Sequence, residues 1–202
     1  MKPELANHLN KTRGTVTEVV QVVSSRKYPS DIRTVIIRGL LSTIIEHHRS
    51  LLELLKFGTI GSAYALARDI VKGMRYGLWI NCCATEEQIR RIEESDEFPF
   101  SIPEITKEIE AAYSKDHFFA NLKNRWASQL YKYTRSEIFQ LGRFHIDSSS
   151  GYDFDDEEIR DVMTAATLCV VLLAAKFLAG QNHPVESKKV ETLAADYEKR
   201  VA

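Results

Sequence analysis

Apolar residues recur along most of this chain at separations of three and four, the spacing that lines one side of an α-helix. The pattern is clearest from about residue 31 to 57, where Ile37, Leu41, Ile44, His48, Leu51 and Leu55 alternate steps of four and three. Arg38, Ser42, Glu46, Arg49, Glu53 and Lys56 fall on the other side, so one seam should pack against a nearly parallel neighbour. Ser30 is placed to cap the start. Gly58 supplies a left-handed stop, and Gly61-Ser62 lets a new helix begin almost at once, over residues 62–83. A connection that short forces an antiparallel return, with Ala63, Ala67, Ile70, Met74 and Leu78 on the facing seam.

Helix is also the reading elsewhere. Leu5, Leu9, Val16, Val19, Val20 and Val23 predict an N-terminal helix within residues 1–28, although Gly14 is a possible break and the β-branched run after it is ambiguous. Thr85-Glu86-Glu87-Gln88 has the form of a capping box opening a short helix to about Ser95. Phe98 and Phe100 anchor a loop, and Pro103 sits in the first turn of a helix reaching Tyr113. A longer helix should follow with Phe118, Phe119, Leu122, Trp126, Leu130 and Tyr133 inward, then a polar loop over residues 145–154. Asp155-Asp156-Glu157-Glu158 starts a helix that runs to Gly180, apolar nearly all round and therefore central, and Pro184 starts a last amphipathic one. These elements imply an all-α fold: a single-domain antiparallel helical bundle of about six to eight helices over residues 1–202.

Composition narrows the function classes. With 44% hydrophobic and 27% charged residues the chain has the make-up of a globular protein, and a net charge of −1 gives no overall attraction for nucleic acid or acidic membrane. A local basic patch leaves nucleic acid open as a partner. The polar N-terminus and the short apolar run at residues 165–175 point to a cytoplasmic protein that does not enter a membrane. Cys82, Cys83 and Cys169 lack zinc-site spacing and read as small buried apolar residues.

No phosphate-cradling glycine loop, H-E-x-x-H or G-x-S-x-G occurs, and no cofactor or metal is expected. Asp153, Asp155, Asp156, Glu157 and Glu158 lack the glycine and distal glutamate of a calcium loop, and they suit the positive end of a helix dipole. The remaining candidates are His47 and His48. Histidine in an apolar stripe is ordinarily a core residue. Yet His48 lies ten residues before Gly58 and Arg68 ten after it, so the hairpin should hold them at one level. With Lys72 and Arg75 on the same flank as Arg68, a basic pocket for a phosphate or carboxylate is the resulting expectation.

The run Glu46-His47-His48, Gly58, Gly61-Ser62-Ala63, Ala65-Leu66, Arg68 and Gly77-Leu78-Trp79 resembles a bacterial family of helical proteins known only as a domain of unknown function. The resemblance extends to Tyr152 and the acid-led apolar helix after it. The family pattern carries a glutamate four residues after the arginine and a later Thr-His-Gly-Gly motif. This chain has Lys72 and Thr134-Arg135-Ser136-Glu137 at those places. Cations thus replace what could be acid–base groups, which favours anion binding over catalysis and adds Arg135 to the candidate ligand-binding set of His47, His48, Arg68 and Lys72.

Two functions follow as expectations. One is a non-catalytic module, homodimeric through an exposed helix face, that binds a partner protein or a small anionic ligand. The other is a metal-independent ribonuclease resembling the all-helical HEPN toxins of bacterial defence systems. Those carry arginine and histidine as R-x(4–6)-H. Arg38 to His47 and Arg135 to His145 are too widely spaced for that, and Arg143-Phe144-His145 too tightly.

Overall fold

The computed structural model describes residues 2–95, 98, 100–121, 123 and 155–201, and these form helices joined by turns. In chain order the helices are α1 (Pro3–Ser24), α2 (Ile32–Lys56), α3 (Ile60–Cys82), α4 (Glu86–Ser95), α5 (Ile102–Ala112), α6 (Asp156–Gly180) and α7 (Pro184–Val201). Residues 117–121 are helical as well. The protein is an all-α helical bundle, as the periodicity predicts. Leu122, Trp126, Leu130, Tyr133, Arg135 and the loop at 145–154 lie outside the described residues.

The hairpin of α2 and α3 forms where glycine spacing places it. Gly58 has φ +78°, its amide donates to Leu55 O at 3.2 Å, and the Thr59 amide reaches back to Leu54 O at 2.9 Å. This pair of bonds closes a Schellman stop that satisfies the last carbonyls of α2. At the other end Asp31, not Ser30, is the cap: its carboxylate accepts from the Thr34 amide at 3.0 Å. Asp31 stands directly before the first helical residue, and its acceptor is the more effective one at the positive end of the dipole.

Other boundaries follow their signals. Thr85 and Gln88 exchange the two capping-box bonds, amide to side chain, at 2.7 and 3.2 Å. Ser101 gives its amide and hydroxyl protons to Glu104 ahead of α5, with Pro103 in its first turn. Asp155 caps α6 by accepting from the Glu158 amide at 2.7 Å. In α1 Gly14 makes no break, and the β-branched stretch is helical because Val16, Val19 and Val22 gain burial there.

α6 is the axle of the bundle. It packs on α1, α2, α3 and α7, and every residue from Val162 to Leu178 is buried. It is long and apolar enough to cross a membrane by length and composition, but 94% of that apolar window is covered by the bundle. One buried apolar cluster draws on all seven helices, with Trp79, Phe177 and Tyr197 among its largest members. At about 1.5–3 kcal/mol for each large aliphatic side chain removed from water, this burial is what holds the helices together.

Close approach between α2 and α3 depends on Gly73, where a Cβ would lie 2.6 Å from Ile44 Cγ2. Counting one turn along each helix from that contact puts His48 level with Asp69 and Arg68. The cysteines divide. Cys169 is buried as expected, but Cys82 is exposed and Cys83 half-buried, at the very end of α3 beyond buried Trp79 and Ile80.

Candidate functional site

His48 belongs to the core. It is 0% exposed, and its Nε2 lies 3.1 Å from Thr167 Oγ1 on α6. The Thr167 hydroxyl gives its only proton to Met163 O at 2.7 Å, so at His48 the oxygen is an acceptor and the imidazole carries its hydrogen on Nε2. Nδ1 is then a bare acceptor, and it has no hydrogen-bond partner among the described residues. Burial, with the Arg49 charge adding to it, pushes the His48 pKa down to about 3. A neutral imidazole enclosed by the bundle is not a general acid near neutral pH, and its burial keeps it from a substrate.

Level register therefore does not bring His48 and Arg68 into one pocket. Among the described residues no hydrogen bond or ion pair joins them, and the cation felt by His48 is its neighbour Arg49. His48 continues the buried line of Ile37, Leu41, Ile44 and Leu51 towards α6, whereas Arg68 is on the half-exposed flank of α3, beside buried Ala67. The one-dimensional count fixes height along the hairpin and leaves direction around each helix to packing. His47 is half-buried, and its Nδ1 also has no partner among the described residues.

The cations of α3 differ in their surroundings. Lys72 is exposed, with Nζ 5.7 Å from the Tyr76 ring, which stacks on Phe98 at 3.7 Å between centroids. Arg75 is half-buried near Glu110 and Cys169, and burial lowers its pKa. Arg68 and Lys72 stand one helical turn apart without an ion pair among the described residues, and Asp69 between them pairs with neither. Arg135, the further expected cation, lies outside the described residues.

Two buried polar groups escaped the reading of the sequence. Where α1, α6 and α7 meet, His8 Nε2 lies 3.1 Å from Thr164 Oγ1, and the Tyr197 hydroxyl lies 3.0 Å from Thr12 Oγ1 and 3.3 Å from both His8 and Thr164. Burial first, then the Arg160 and Lys11 charges, lower the His8 pKa to about 4. Threonine at 164 and 167, three apart in an otherwise apolar helix, is the signal that could have pointed to both histidines.

The second group is Lys176, 5% exposed at the far end of α6. Its ammonium donates to Asp116 at 2.6 Å and Glu191 at 3.3 Å, and it lies 5.1 Å from the Phe118 ring and 5.9 Å from that of Tyr113. A lone lysine in an apolar helix demands buried carboxylates, but sequence does not say which of 28 acidic residues supply them. Each of these polar clusters is internally satisfied and ties helices together.

No group of three or more histidine, cysteine, aspartate or glutamate side chains is placed to hold a metal ion among the described residues. No curated protein and no solved structure matches the chain. A family model matches residues 41–202, leaving α1 and the first turns of α2 outside, and by that match the chain belongs to the family of unknown function DUF6988.

Proposed function

We propose that this protein is a non-catalytic helical module that binds a small anionic ligand on the outer flank of α3, through Arg68 and Lys72. The observation that supports this reading is the unneutralised pair itself. Like charges at i and i+4 destabilise a helix by about 0.2–0.5 kcal/mol, and neither cation has a carboxylate partner among the described residues. An anion seated between them relieves that repulsion and gains charge-assisted hydrogen bonds from both. His48 supports the same side of the choice, because it is enclosed in the core and not available as an acid or base.

Pyrophosphate is a suitable probe of a small polyanion. Calorimetric titration should show binding that weakens as salt rises and falls at least about tenfold in Arg68→Ser/Lys72→Ser. Equal affinity in that variant would overturn the assignment to Arg68 and Lys72, and metal-free cleavage of mixed RNA by the wild type that the variant loses would replace binding with the ribonuclease reading.

A further inference from the structure

Cys82 and Cys83 are neighbours in sequence, and on a regular helix neighbouring side chains point well apart. Their sulfurs nevertheless approach to 3.0 Å. The cause is the end of α3: Cys83 leaves helical geometry at φ −121° and ψ −39°, which swings its side chain back over Cys82. That backbone is held firmly. The amides of Cys83 and Ala84 both donate to Trp79 O, at 2.8 and 3.0 Å, and Trp79 is fully buried. Arg33 of α2 clamps the same turn, donating to Ile80 O and, at 2.7 Å, to Ala84 O.

The surroundings suit a pair of sulfurs that acts as one ligand. Cys82 is exposed and Cys83 half-buried, so a reagent in solution reaches them. Next to the pair, Asn81 Nδ2 donates to the Tyr113 hydroxyl at 3.3 Å. Although the Cys82 residue is exposed, desolvation at its sulfur and at that of Cys83 pushes both thiols up, so at neutral pH both keep their protons.

The 3.0 Å separation discriminates between ways of joining the sulfurs. A disulfide needs about 2.05 Å, and adjacent Cα atoms at about 3.8 Å are closer than ordinary disulfides tolerate. A single bridging atom with bonds to sulfur of about 2.3 Å would span the pair at about 80°. That angle is too narrow for tetrahedral zinc, for which two further ligands are also missing among the described residues, and it is near the pyramidal geometry of a trivalent centre with a lone pair. We propose that Cys82 and Cys83 form a bidentate dithiol site for trivalent arsenicals. On binding, two As–O bonds are replaced by two As–S bonds, each thiol proton leaves with a hydroxyl as water, and arsenic stays trivalent throughout.

Phenylarsine oxide is the probe, added to the full reduced chain and followed by intact mass and thiol counting. The expected result is one arsenical per chain, two thiols lost, and an adduct that survives excess mercaptoethanol but is removed by dithiothreitol. Because the fold preorganises the pair, retention should need at least about tenfold less reagent for the native chain than in urea. Cys169→Ser should keep the retained adduct, while Cys82→Ser and Cys83→Ser each lose it. Retention in either of those two variants, absence of a retained adduct in the wild type, or equal retention in native and urea-unfolded protein would overturn the proposal. The native-against-urea comparison decides even if a cysteine variant fails to fold.

Discussion

His48 on α2 donates from Nε2 to the Thr167 hydroxyl oxygen on α6 at 3.1 Å, in a core where neither residue is exposed. The bond converts what looked like a ligand-facing histidine into a strut between the hairpin and the central helix. Its Nε2–H tautomer follows from Thr167, whose own proton is committed to Met163 O.

Thr167→Val keeps the shape of the side chain and removes the acceptor, leaving a buried N–H without a partner. Urea unfolding should show a loss of about 1–3 kcal/mol. Combining it with His48→Leu should lose less than the sum of the two single changes, since removing both partners leaves no polar group unpaired. Strict additivity would mean that the bond contributes nothing.

Acid should weaken the fold through His8 and His48. Both pKa values lie below the ordinary 6.5, at about 4 and about 3, chiefly from burial. As pH falls through 6.5 the unfolded chain takes up protons that the folded chain refuses, so stability is full above that value and declines below it. The decline is at most about 1.4 kcal/mol per pH unit for each histidine, ending near pH 4 for His8 and near pH 3 for His48. Urea midpoints between pH 7.5 and 5 should fall steeply for the wild type and less steeply for His48→Leu; parallel curves would refute the assignment.

How far the fold could be read from the sequence depended on which dimension a signal describes. Gly58, the Thr85–Gln88 capping box, Pro103 and Asp155 are local signals, and each element starts or stops within a residue or two of them, because the bonds they make close within one turn. α6, apolar nearly all round after its acidic first turns, likewise had only one place to go. What could not be read was direction around a helix: His48 and Arg68 share a level, yet one turns to α6 and the other outward, as set by long-range packing. Lys176, His8 and the sulfur contact were missed for the same reason, since their partners lie on other helices or depend on how a single residue leaves one.

Lys176 should be far more sensitive than an exposed lysine. Lys176→Ala removes the ammonium between Asp116 and Glu191 and leaves both carboxylates half-buried without it. The expected loss is about 3–5 kcal/mol by thermal or urea unfolding. Burial raises the Asp116 pKa, but the Lys176 hydrogen bond and the Phe119 amide outweigh it, so that the net shift is downward. Its contribution is therefore present above the ordinary 3.8 and lost as pH falls through the folded value, and Lys176→Ala should remove that part of the acid dependence. A loss below about 1 kcal/mol would mark the pair as dispensable.

Gly73→Ala should cost about 1–3 kcal/mol, because the new Cβ would meet Ile44 Cγ2 at 2.6 Å and a branched methyl cannot swing aside without moving its helix. Gly39→Ala, on the open face of α2 with nothing within 4 Å, should instead stabilise by about 0.5–1 kcal/mol. If both changes act alike, the close approach of α2 and α3 is not what the glycine serves.

Separating strut from site is the most direct test. Stability in urea and pyrophosphate affinity should be measured side by side for Thr167→Val and for Arg68→Ser/Lys72→Ser. The expected result is a crossed pattern, in which Thr167→Val is less stable but binds as the wild type does, while the double variant is as stable as the wild type and binds at least about tenfold more weakly. Unchanged binding in the double variant, or lost binding in a still-folded Thr167→Val, would contradict the assignment of function to the cations of α3 and of structure to His48.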